Sequence, residues 1–314
     1  MERSVLVAGE TLIDFLPGTD TALSATEAFT RRPGGAPANV ATRLAQLDRT
    51  PWFWTRVGAD PFGDFLVETL AERGLPDRFV ERDPDAKTTL AFVSGDPEAG
   101  PRFTFYREGT ADTRFQPGRV PDETLAAVEW VVVGSVLLAS SPAREAMHDL
   151  AERARARDCA VVFDLNARPE LWTDADFERQ VRRFLPSVDV VKASLPDLRP
   201  AGFDGDPADL GPVAERLHEA GPHTVFLTFG EGGARAHAAE SAPWSVQRAR
   251  HDGFAVDAVD TTGAGDAFTA GVVDALAGGA ADLESVLERG NAVAAASTLR
   301  DGGMAPLPDL EAVR

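Results

Sequence analysis

The chain has 314 residues, 44% of them hydrophobic, which is enough to bury the core of a large α/β domain and excludes a chain that is disordered throughout. Its 31 basic and 50 acidic residues give a formal net charge of −19, which argues against nucleic acid or an anionic membrane as the main partner. The single cysteine, Cys159, excludes an internal disulfide and a metal site built from cysteines. No apolar run has the length of a membrane span and the first residues do not resemble a secretory signal, so we expect a cytoplasmic protein.

The predicted strands and helices alternate along the chain. Apolar, β-rich runs predict strands at residues 5–8, 52–55, 130–133, 160–164, 188–191 and 225–228. Helical patterns lie between several of them, for example over residues 37–47 and after Asp60, an N-cap residue followed by proline. This alternation predicts a doubly wound α/β fold with a mostly parallel sheet covered by helices on both faces.

Two segments interrupt the alternation early in the chain. Residues 11–33 have a mixed pattern, and residues 88–107 predict an antiparallel hairpin with strands at 88–93 and 102–106. Strands inserted there would lie off the main sheet, so we expect a small β-sheet lid from about residues 11–33 and 88–112. The simplest organisation is one domain over residues 1–314 with this lid, whose exposed sheet offers a surface for a homodimer.

The strongest chemical signal is the sequence Asp-Thr-Thr-Gly-Ala-Gly-Asp at residues 260–266. A β-like stretch over residues 253–259 leads into this turn, and a long helical pattern follows it. Small residues at a helix N-terminus leave backbone N–H groups open to an anion, and the Asp266 carboxylate beside them can accept a proton from an attacking hydroxyl. A structural interpretation is also open, in which Asp266 only complements the helix dipole by about 0.3–1 kcal/mol. The segment is neither a Walker A loop nor a Gly-x-Gly-x-x-Gly loop.

Three segments together resemble the ribokinase-type (PfkB) family of sugar kinases. Residues 260–268 resemble its C-terminal signature, Gly-Gly-Ala-Pro-Ala-Asn-Val-Ala at 34–41 resembles its sugar-binding segment, and Gly-Glu-Thr-Leu-Ile-Asp at 9–14 contains an aspartate that resembles its hydroxyl-binding one. Their order and separation agree with that family along essentially the whole chain. The resemblance implies a ribokinase-like fold with a β lid and an ATP-dependent carbohydrate kinase that uses Mg²⁺.

The resemblance also implies roles for individual residues. Asp266 is the general base, and the anion hole for the phosphoryl group is formed by Gly263, Ala264 and Gly265. The sugar hydroxyls are bound by Asp14, Gly35 and Asn39. The nucleotide is bordered by Ser194, Thr228, Gly230, Gly233 and Asn291.

The metal ligands depart most from the family pattern. The family has Asn-x-x-Glu where this chain has Ser194 and Asp197, and the resemblance gives the shorter Asp197 a role in organising Mg²⁺ and the phosphates through water. Asp260 and Thr262 match positions that hold a monovalent cation in several members of the family, which implies K⁺ as a further cofactor.

The substrate is predicted from Asp-Leu-Asn-Ala-Arg-Pro-Glu-Leu-Trp at residues 164–172, which resembles the fructokinase and 2-keto-3-deoxygluconate kinase branch. Arg168 in this segment and Arg107 in Phe-Tyr-Arg are predicted to lie at the substrate, since a guanidinium binds a phosphate or carboxylate bidentately. The Arg-x-x-x-Ala-Asp run that starts at Arg107 favours fructose, and 2-keto-3-deoxygluconate is the alternative. A non-catalytic sugar- or nucleotide-binding regulator and a dinucleotide-binding oxidoreductase stay open as other classes.

The charge balance generates a prediction about salt. Only Lys87 and Lys192 are lysines, and an acidic, arginine-rich composition is typical either of a protein adapted to a salty cytoplasm or of a GC-rich genome. In the first case we expect the thermal unfolding midpoint to rise as KCl is increased to about 1 M, because screening reduces self-repulsion. A midpoint that does not respond to KCl would contradict the salt adaptation.

Overall fold

The computed structural model describes residues 4–18, 22–96, 100–172 and 176–313, and over most of this length strands alternate with helices. The strands are β1 (Val5–Ala8), β2 (Leu12–Pro17), β3 (Phe29–Gly34), β4 (Trp52–Gly58), β5 (Val80–Asp83), β6 (Leu90–Asp96), β7 (Gly100–Tyr106), β8 (Trp130–Gly134), β9 (Ala160–Asp164), β10 (Val190–Ser194), β11 (Thr224–Thr228), β12 (Ala234–Ala238) and β13 (Arg248–His251). The helices are α1 (Ala36–Gln46), α2 (Pro61–Glu72), α3 (Asp122–Leu125), α4 (Ala143–Arg155), α5 (Asp176–Phe184), α6 (Leu195–Leu198), α7 (Gly211–Ala220), α8 (Ala264–Ala277) and α9 (Leu283–Thr298).

Strand β1 lies inside a nine-stranded sheet with the order β13-β12-β11-β10-β9-β8-β1-β4-β5. The strands from β11 to β5 in this order pair in parallel, and β12 and β13 run antiparallel at one edge. The predicted doubly wound, mostly parallel sheet is therefore confirmed. Because the chain passes from β1 to β4 on one side and later to β8 on the other, the winding reverses there, and such a reversal opens a ligand-binding crevice at the C-terminal ends of the strands.

The central strands are apolar without alternation because both faces of the sheet are covered. In β8, Val131 and Val133 pack into the hydrophobic cluster on one face, and Val132 packs into the cluster on the other. Burial of one such side chain contributes about 1.5–3 kcal/mol. The apolar runs that predicted the strands thus also hold the helices against both faces of the sheet.

A second, four-stranded sheet has the order β3-β2-β6-β7, and we call it the lid sheet. Strands β2 and β3 pair antiparallel within the predicted segment 11–33, and β6 and β7 form the predicted hairpin. Parallel pairing of β2 with β6 joins the two halves. The second predicted segment ends in a short 3₁₀ helix, Ala111–Arg114, and residues 19–21 and 97–99 of the two segments lie outside the described residues.

An aromatic cluster joins the lid sheet to helix α2. The rings of Phe15 and Phe92 stack with centroids 4.9 Å apart. Phe62 at the start of α2 meets Phe15 edge-on at 5.8 Å, and Phe29 of β3 does so at 6.3 Å. Each such pair adds about 0.5–1.5 kcal/mol beyond the burial of its area. The lid sheet is therefore anchored to the body of the protein on the side of α2.

The β-like pattern at residues 253–259 was the one clear error in the predicted elements. The structure gives these residues no strand pairing, and the last strand, β13, ends just before them. Phe254 and Val256 instead pack against the C-terminal half of α9, and the N–H groups of Val259 and Asp260 donate to Thr298 O at the end of that helix. Among the described residues, none of the helices combines the length and the apolarity that a bilayer crossing requires.

Candidate active site

A cavity of about 310 Å³ lies between the lid sheet and the C-terminal edge of the main sheet. Its lining includes the first turn of α8, the start of α1, the loop after β9 and one face of β2. The sequence-predicted residues that it brings together are Asp14, Gly35, Asn39, Arg168, Thr262, Gly263 and Asp266.

Helix α8 begins at this cavity. Gly263 precedes the helix with φ +76°, in the left-handed region, and a Cβ there would come within 3.0 Å of neighbouring backbone, so glycine is favoured. The N–H of Ala264 donates to Thr261 O across 3.1 Å and is occupied by the turn itself. The N–H groups of Gly265 and Asp266 lie in the first turn, where a helix supplies no carbonyl partner. These groups are the donors that an anion would meet.

Asp266 is 6% exposed and lies at the floor of the cavity. Its Oδ2 accepts a hydrogen bond from Asn39 Nδ2 across 2.8 Å, and its Oδ1 accepts a longer one from Asn166 Nδ2 across 3.4 Å. Burial raises the pKa of Asp266 to about 6, the charge of Asp164 adds to the rise, and the Asn39 hydrogen bond opposes it. The carboxylate is therefore mostly ionised at pH 7, with a proton affinity suited to a general base.

Asn39 is held in place by the start of α1. Gly35 caps this helix with φ +104°, and a Cβ there would lie 2.5 Å from Glu10 O, so only glycine fits. The N–H of Asn39 donates to Gly35 O across 2.9 Å. Within the described residues, the buried Asn39 Oδ1 has no hydrogen-bond partner. Asn39 thus donates to the carboxylate of Asp266 and keeps an acceptor for a substrate hydroxyl.

Asp14 enters the cavity from the lid sheet. A Cβ at the neighbouring Gly34 would lie 1.9 Å from Asp14 Oδ2, so glycine at 34 makes room for the carboxylate. Burial raises the pKa of Asp14 to about 7, Arg168 opposes the rise and Asp266 adds to it. Near neutral pH this group therefore accepts hydrogen bonds when ionised and donates one when protonated, as a sugar hydroxyl requires.

Arg168 is set by the loop that follows β9. Its Nη1 donates to Asn166 Oδ1 and, across 2.9 Å, to Ala167 O. The guanidinium also lies over the ring of Phe103 from the lid sheet, 5.4 Å from the centroid. Asn166 has φ +20°, an uncommon value for a non-glycine residue that marks a constrained loop. The loop thus brings one cation and one amide to the same cavity.

Arg107 is placed differently from the sequence prediction. It is 7% exposed, its Nε donates to Asp112 Oδ2 across 2.6 Å, and it lines a neighbouring cavity of about 650 Å³ instead of the one that contains Asp266. The buried Asp112 captures the guanidinium, and the short spacing of the two residues allows it. Contact between Arg107 and a substrate therefore remains a prediction.

The residues predicted to border the nucleotide do not line the cavity. Thr228 ends β11 and its Oγ1 donates to Ala193 O across 3.4 Å, so it lies at the same edge of the sheet as the ends of β9 and β10. Gly230 and Gly233 follow with φ +59° and +74°, and a Cβ at Gly233 would lie 2.1 Å from His251 O. Asn291 is buried in α9 and its Nδ2 donates back to Leu287 O across 2.8 Å. Their nucleotide roles stay predictions.

Ser194 and Asp197 form a capping box at the start of α6. Asp197 Oδ2 accepts from the N–H of Ser194 across 2.9 Å and from its Oγ across 2.6 Å, and Oδ1 accepts from the N–H of Ala167 across 2.9 Å. A carboxylate has about four lone-pair sites, so one remains. This arrangement fits a hydrated Mg²⁺ held mainly by phosphates, because Mg²⁺ keeps several of its waters.

Asp260 is already surrounded by donors. Its Oδ1 accepts from the N–H of Thr262 and its Oδ2 from the N–H of Gly302, both across 2.9 Å. Arg32 of the lid sheet lies 3.7 Å from Asp260 Oδ2 and pairs with Asp301 across 2.5 Å. Among the described residues no three acidic, histidine or cysteine side chains form a metal-binding group. The K⁺ site at Asp260 and Thr262 thus remains a prediction.

Three buried charged residues near this site have no role predicted from the sequence. Glu10 lines the cavity, and burial raises the pKa of its carboxyl to about 8. Lys192 and Asp164 form an ion pair beneath Asp266. The sequence does mark two of these residues: Asp164 is the first residue of the segment that contains Arg168, and Lys192 is one of only two lysines. Only the pairing of β9 with β10 shows that Asp164 and Lys192 meet.

Comparison with known proteins decides the family. The sequence model described as "pfkB family carbohydrate kinase" matches residues 2–310. The chain belongs to this family. The ribokinase-like architecture, with its large sheet and separate lid sheet, is that of an ATP-dependent carbohydrate kinase.

Relatives and solved structures of this kinase family match the chain over nearly its full length. A fructokinase from Vibrio alginolyticus is 31% identical, with 98% of this chain and 96% of that protein covered. The structure of a fructokinase with bound ATP from Xylella fastidiosa has a TM-score of 0.84 at 30% identity and covers 100% of this chain and 97% of that one. A Vibrio cholerae fructokinase with bound fructose, ADP and calcium has a TM-score of 0.84 at 28% identity and covers 100% of this chain and 99% of that one.

The geometry predicts that Asp266→Asn keeps the sugar affinity and lowers kcat by about 10²- to 10⁴-fold, because the amide cannot accept the proton. In the unmodified kinase kcat should fall as pH drops through about 6, where the Asp266 carboxylate becomes protonated and loses its function as a base. Both effects are measured by ADP release between pH 5 and 8. Asp282→Asn, in which the N-cap of α9 is replaced by an equally good one outside the cavity, is the control. An Asp266→Asn variant with near-normal kcat would contradict the assignment.

Proposed function

We propose that this chain is a fructokinase, which transfers the γ-phosphoryl group of ATP to a hydroxyl of fructose. The observation that carries the proposal is the buried Asp266 carboxylate, bound by Asn39 in the first turn of α8 and facing a cavity of sugar size. An ionised base and unpaired helix N–H groups at one point are what phosphoryl transfer to a hydroxyl needs.

The reaction follows from these groups. The substrate hydroxyl gives its proton to Asp266 while its oxygen forms a bond to the γ-phosphorus, and the bond from that phosphorus to ADP breaks. The N–H groups of Gly265 and Asp266, at the positive end of α8, stabilise the negative charge on the transferred group. Asp14 and the free Oδ1 of Asn39 accept hydrogen bonds from other hydroxyls and set the orientation of the sugar.

A neutral sugar suits the charge of the cavity better than a sugar acid. Three acidic side chains line it, Glu10, Asp14 and Asp266, and of the two arginines that line it Arg32 is paired with Asp301. Arg168 already donates to two groups of its own loop. The carboxylate of 2-keto-3-deoxygluconate would therefore face the ionised Asp266, and both arginines of the lining already have other partners. The hydroxyls of fructose instead need hydrogen-bond acceptors, which Asp14 and Asn39 supply. The fructokinases among the relatives support the same choice.

We further propose that Mg²⁺ accompanies ATP and contacts Asp197 through water. We also propose that K⁺ binds beside Asp260 and Thr262, and that the protein works in a salt-rich cytoplasm. When bound, Mg²⁺ would neutralise phosphate charge and orient the γ-phosphoryl group. Support for Mg²⁺ comes from the remaining lone-pair site of Asp197, and support for K⁺ comes from the match of Asp260 and Thr262 to the cation positions of the family. Support for the salt-rich cytoplasm comes from the net charge of −19. The assay that tests the substrate also tests the ions, with Mg²⁺ omitted or KCl replaced by choline chloride.

The substrate assay measures ADP release with Mg²⁺-ATP and KCl over fructose, 2-keto-3-deoxygluconate, ribose and adenosine. We expect kcat/KM for fructose to exceed that of every other compound. Turnover of 2-keto-3-deoxygluconate without turnover of fructose would overturn the substrate assignment. Binding of fructose or ATP without any turnover would instead support a non-catalytic regulator. The intact Asp266 argues against that class.

The lid sheet also supports a homodimer. Its face opposite the cavity contains the stacked Phe15 and Phe92, and Tyr106 beside Phe92 is 63% exposed, which is unusual for so large an apolar ring. Helix α2 covers part of this face, and a second copy would cover the exposed part at Tyr106. We expect sedimentation equilibrium to give a dimer that Tyr106→Glu weakens and Val246→Glu, at another exposed apolar position, leaves unchanged. A monomer at high protein concentration would contradict the dimer.

A further inference from the structure

Lys192 is buried although the ammonium group of a lysine is strongly hydrated in water. It is one of only two lysines in the chain, and the other, Lys87, is exposed. Lys192 is 4% exposed in the middle of β10, and its Nζ lies 3.2 Å from both carboxylate oxygens of Asp164. Strand β9 places Asp164 directly opposite Lys192 in the parallel register. The pair is therefore built into the sheet.

The same pair touches the first turn of α8. Thr269 Oγ1 donates to Asp164 Oδ2 across 2.7 Å, and Thr269 lies one turn after Asp266 on the same helix. A Cβ added to Gly265 would lie 3.1 Å from Lys192 Nζ, so the ammonium group packs against the backbone of that turn. One ion pair of the sheet thus contacts the helix at the residue before Asp266 and at the residue one turn after it.

We propose that Lys192 and Asp164 are positioning residues of the phosphoryl transfer, which anchor the first turn of α8 and balance the charge on the Asp266 carboxylate. The proposal rests on the role of Asp266 in the proposed function. Lys192 does not line the cavity described above, so the pair acts through Asp266 and the helix.

Stability alone gives a weak reason for such a pair. A buried ion pair loses the hydration of two charges, and well-packed apolar residues in its place are often as stable or more so. An apolar pair, however, cannot place a charge close to the buried carboxylate of Asp266. The negative charge of Asp164 raises the pKa of Asp266 and the positive charge of Lys192 lowers it, so the two have opposite effects on the same group.

Other charges also face Asp266 and must be constant in any test. Besides the pair itself, they are Asp14 of the lid strand β2, Arg43 of α1 and Arg168 of the loop after β9. All three are unchanged in the variants below, so a displacement of the titration reports on the pair.

The first experiment measures kcat as a function of pH in Lys192→Met and in Asp164→Asn. It compares the acidic limb of the two profiles, that is, the pH at which kcat falls on the acidic side. Lys192→Met removes the favourable charge and should displace the limb about one pH unit upward, whereas Asp164→Asn removes the unfavourable charge and should displace it downward. KM for the sugar should change less than kcat, because the cavity lining is intact. Lys87→Met is the matched control and should leave the profile unchanged. Displacements in the same direction, or none, would overturn the proposal.

The second experiment does not need turnover. In protein labelled with ¹³Cε-lysine only two side-chain signals are expected, and Lys87→Met assigns them. The Lys192 signal should shift with a midpoint near pH 6, as Asp266 ionises, and that step should vanish in Asp266→Asn. A step that persists in Asp266→Asn, or a Lys192 signal without one, would overturn the proposal even if the substrate were not fructose.

A purely structural role is separated by the double variant. Lys192→Met or Asp164→Asn alone leaves one buried charge unpaired and is expected to lower the unfolding midpoint. Lys192→Met combined with Asp164→Asn removes both charges, so its midpoint should recover and the acidic limb should lie between those of the single variants. Recovery of the midpoint together with a full return of kcat to normal would show that the pair only serves folding and would overturn the proposal.

Discussion

Asp266 has to remain an ionised carboxylate in a place that is almost closed to water. Most of the surrounding groups either oppose or stabilise that negative charge. Burial alone opposes the charge, and Asp14 and Asp164 oppose it further. The hydrogen bond from Asn39, the ammonium of Lys192 and the N-terminus of α8 act in the other direction. The resulting balance leaves a base whose proton affinity lies close to neutral pH, where it can take a proton and later release it.

The parallel sheet makes this balance possible because it brings distant parts of the chain to one edge. The last residue of β9, Asp164, pairs in register with Lys192 in the middle of β10, and Thr269 of α8 donates a hydrogen bond to Asp164. Helix α1 adds Asn39 from more than two hundred residues away. No single segment contains the charge environment of the base, and each element contributes one or two groups whose places are fixed by strand register and helix packing.

The lid sheet contributes the part of the site that differs most from an ordinary α/β crevice. Asp14 reaches the cavity only because Gly34 leaves space beside it, and Phe103 covers the guanidinium of Arg168. Arg32 extends from the same sheet to Asp260 in the loop before α8 and to Asp301 in the loop after α9. The lid sheet is therefore linked by charge to the segment that holds the base, as well as by aromatic contacts to α2.

The sequence by itself determined the strand and helix alternation, the doubly wound sheet, the separate lid and the segments that meet at the site. Apolar runs and glycine-rich turns are local properties, and Asp266, Asn39 and Gly35 could be located because the short segments that contain them resemble those of the family. Only the tertiary structure decided that residues 253–259 pack on α9 without strand pairing, that Arg107 pairs with Asp112, and that Lys192 and Asp164 form an ion pair close to the base. Each of these depends on which side chains meet across the fold, and burial and pairing of charges are properties of that contact rather than of the residues alone.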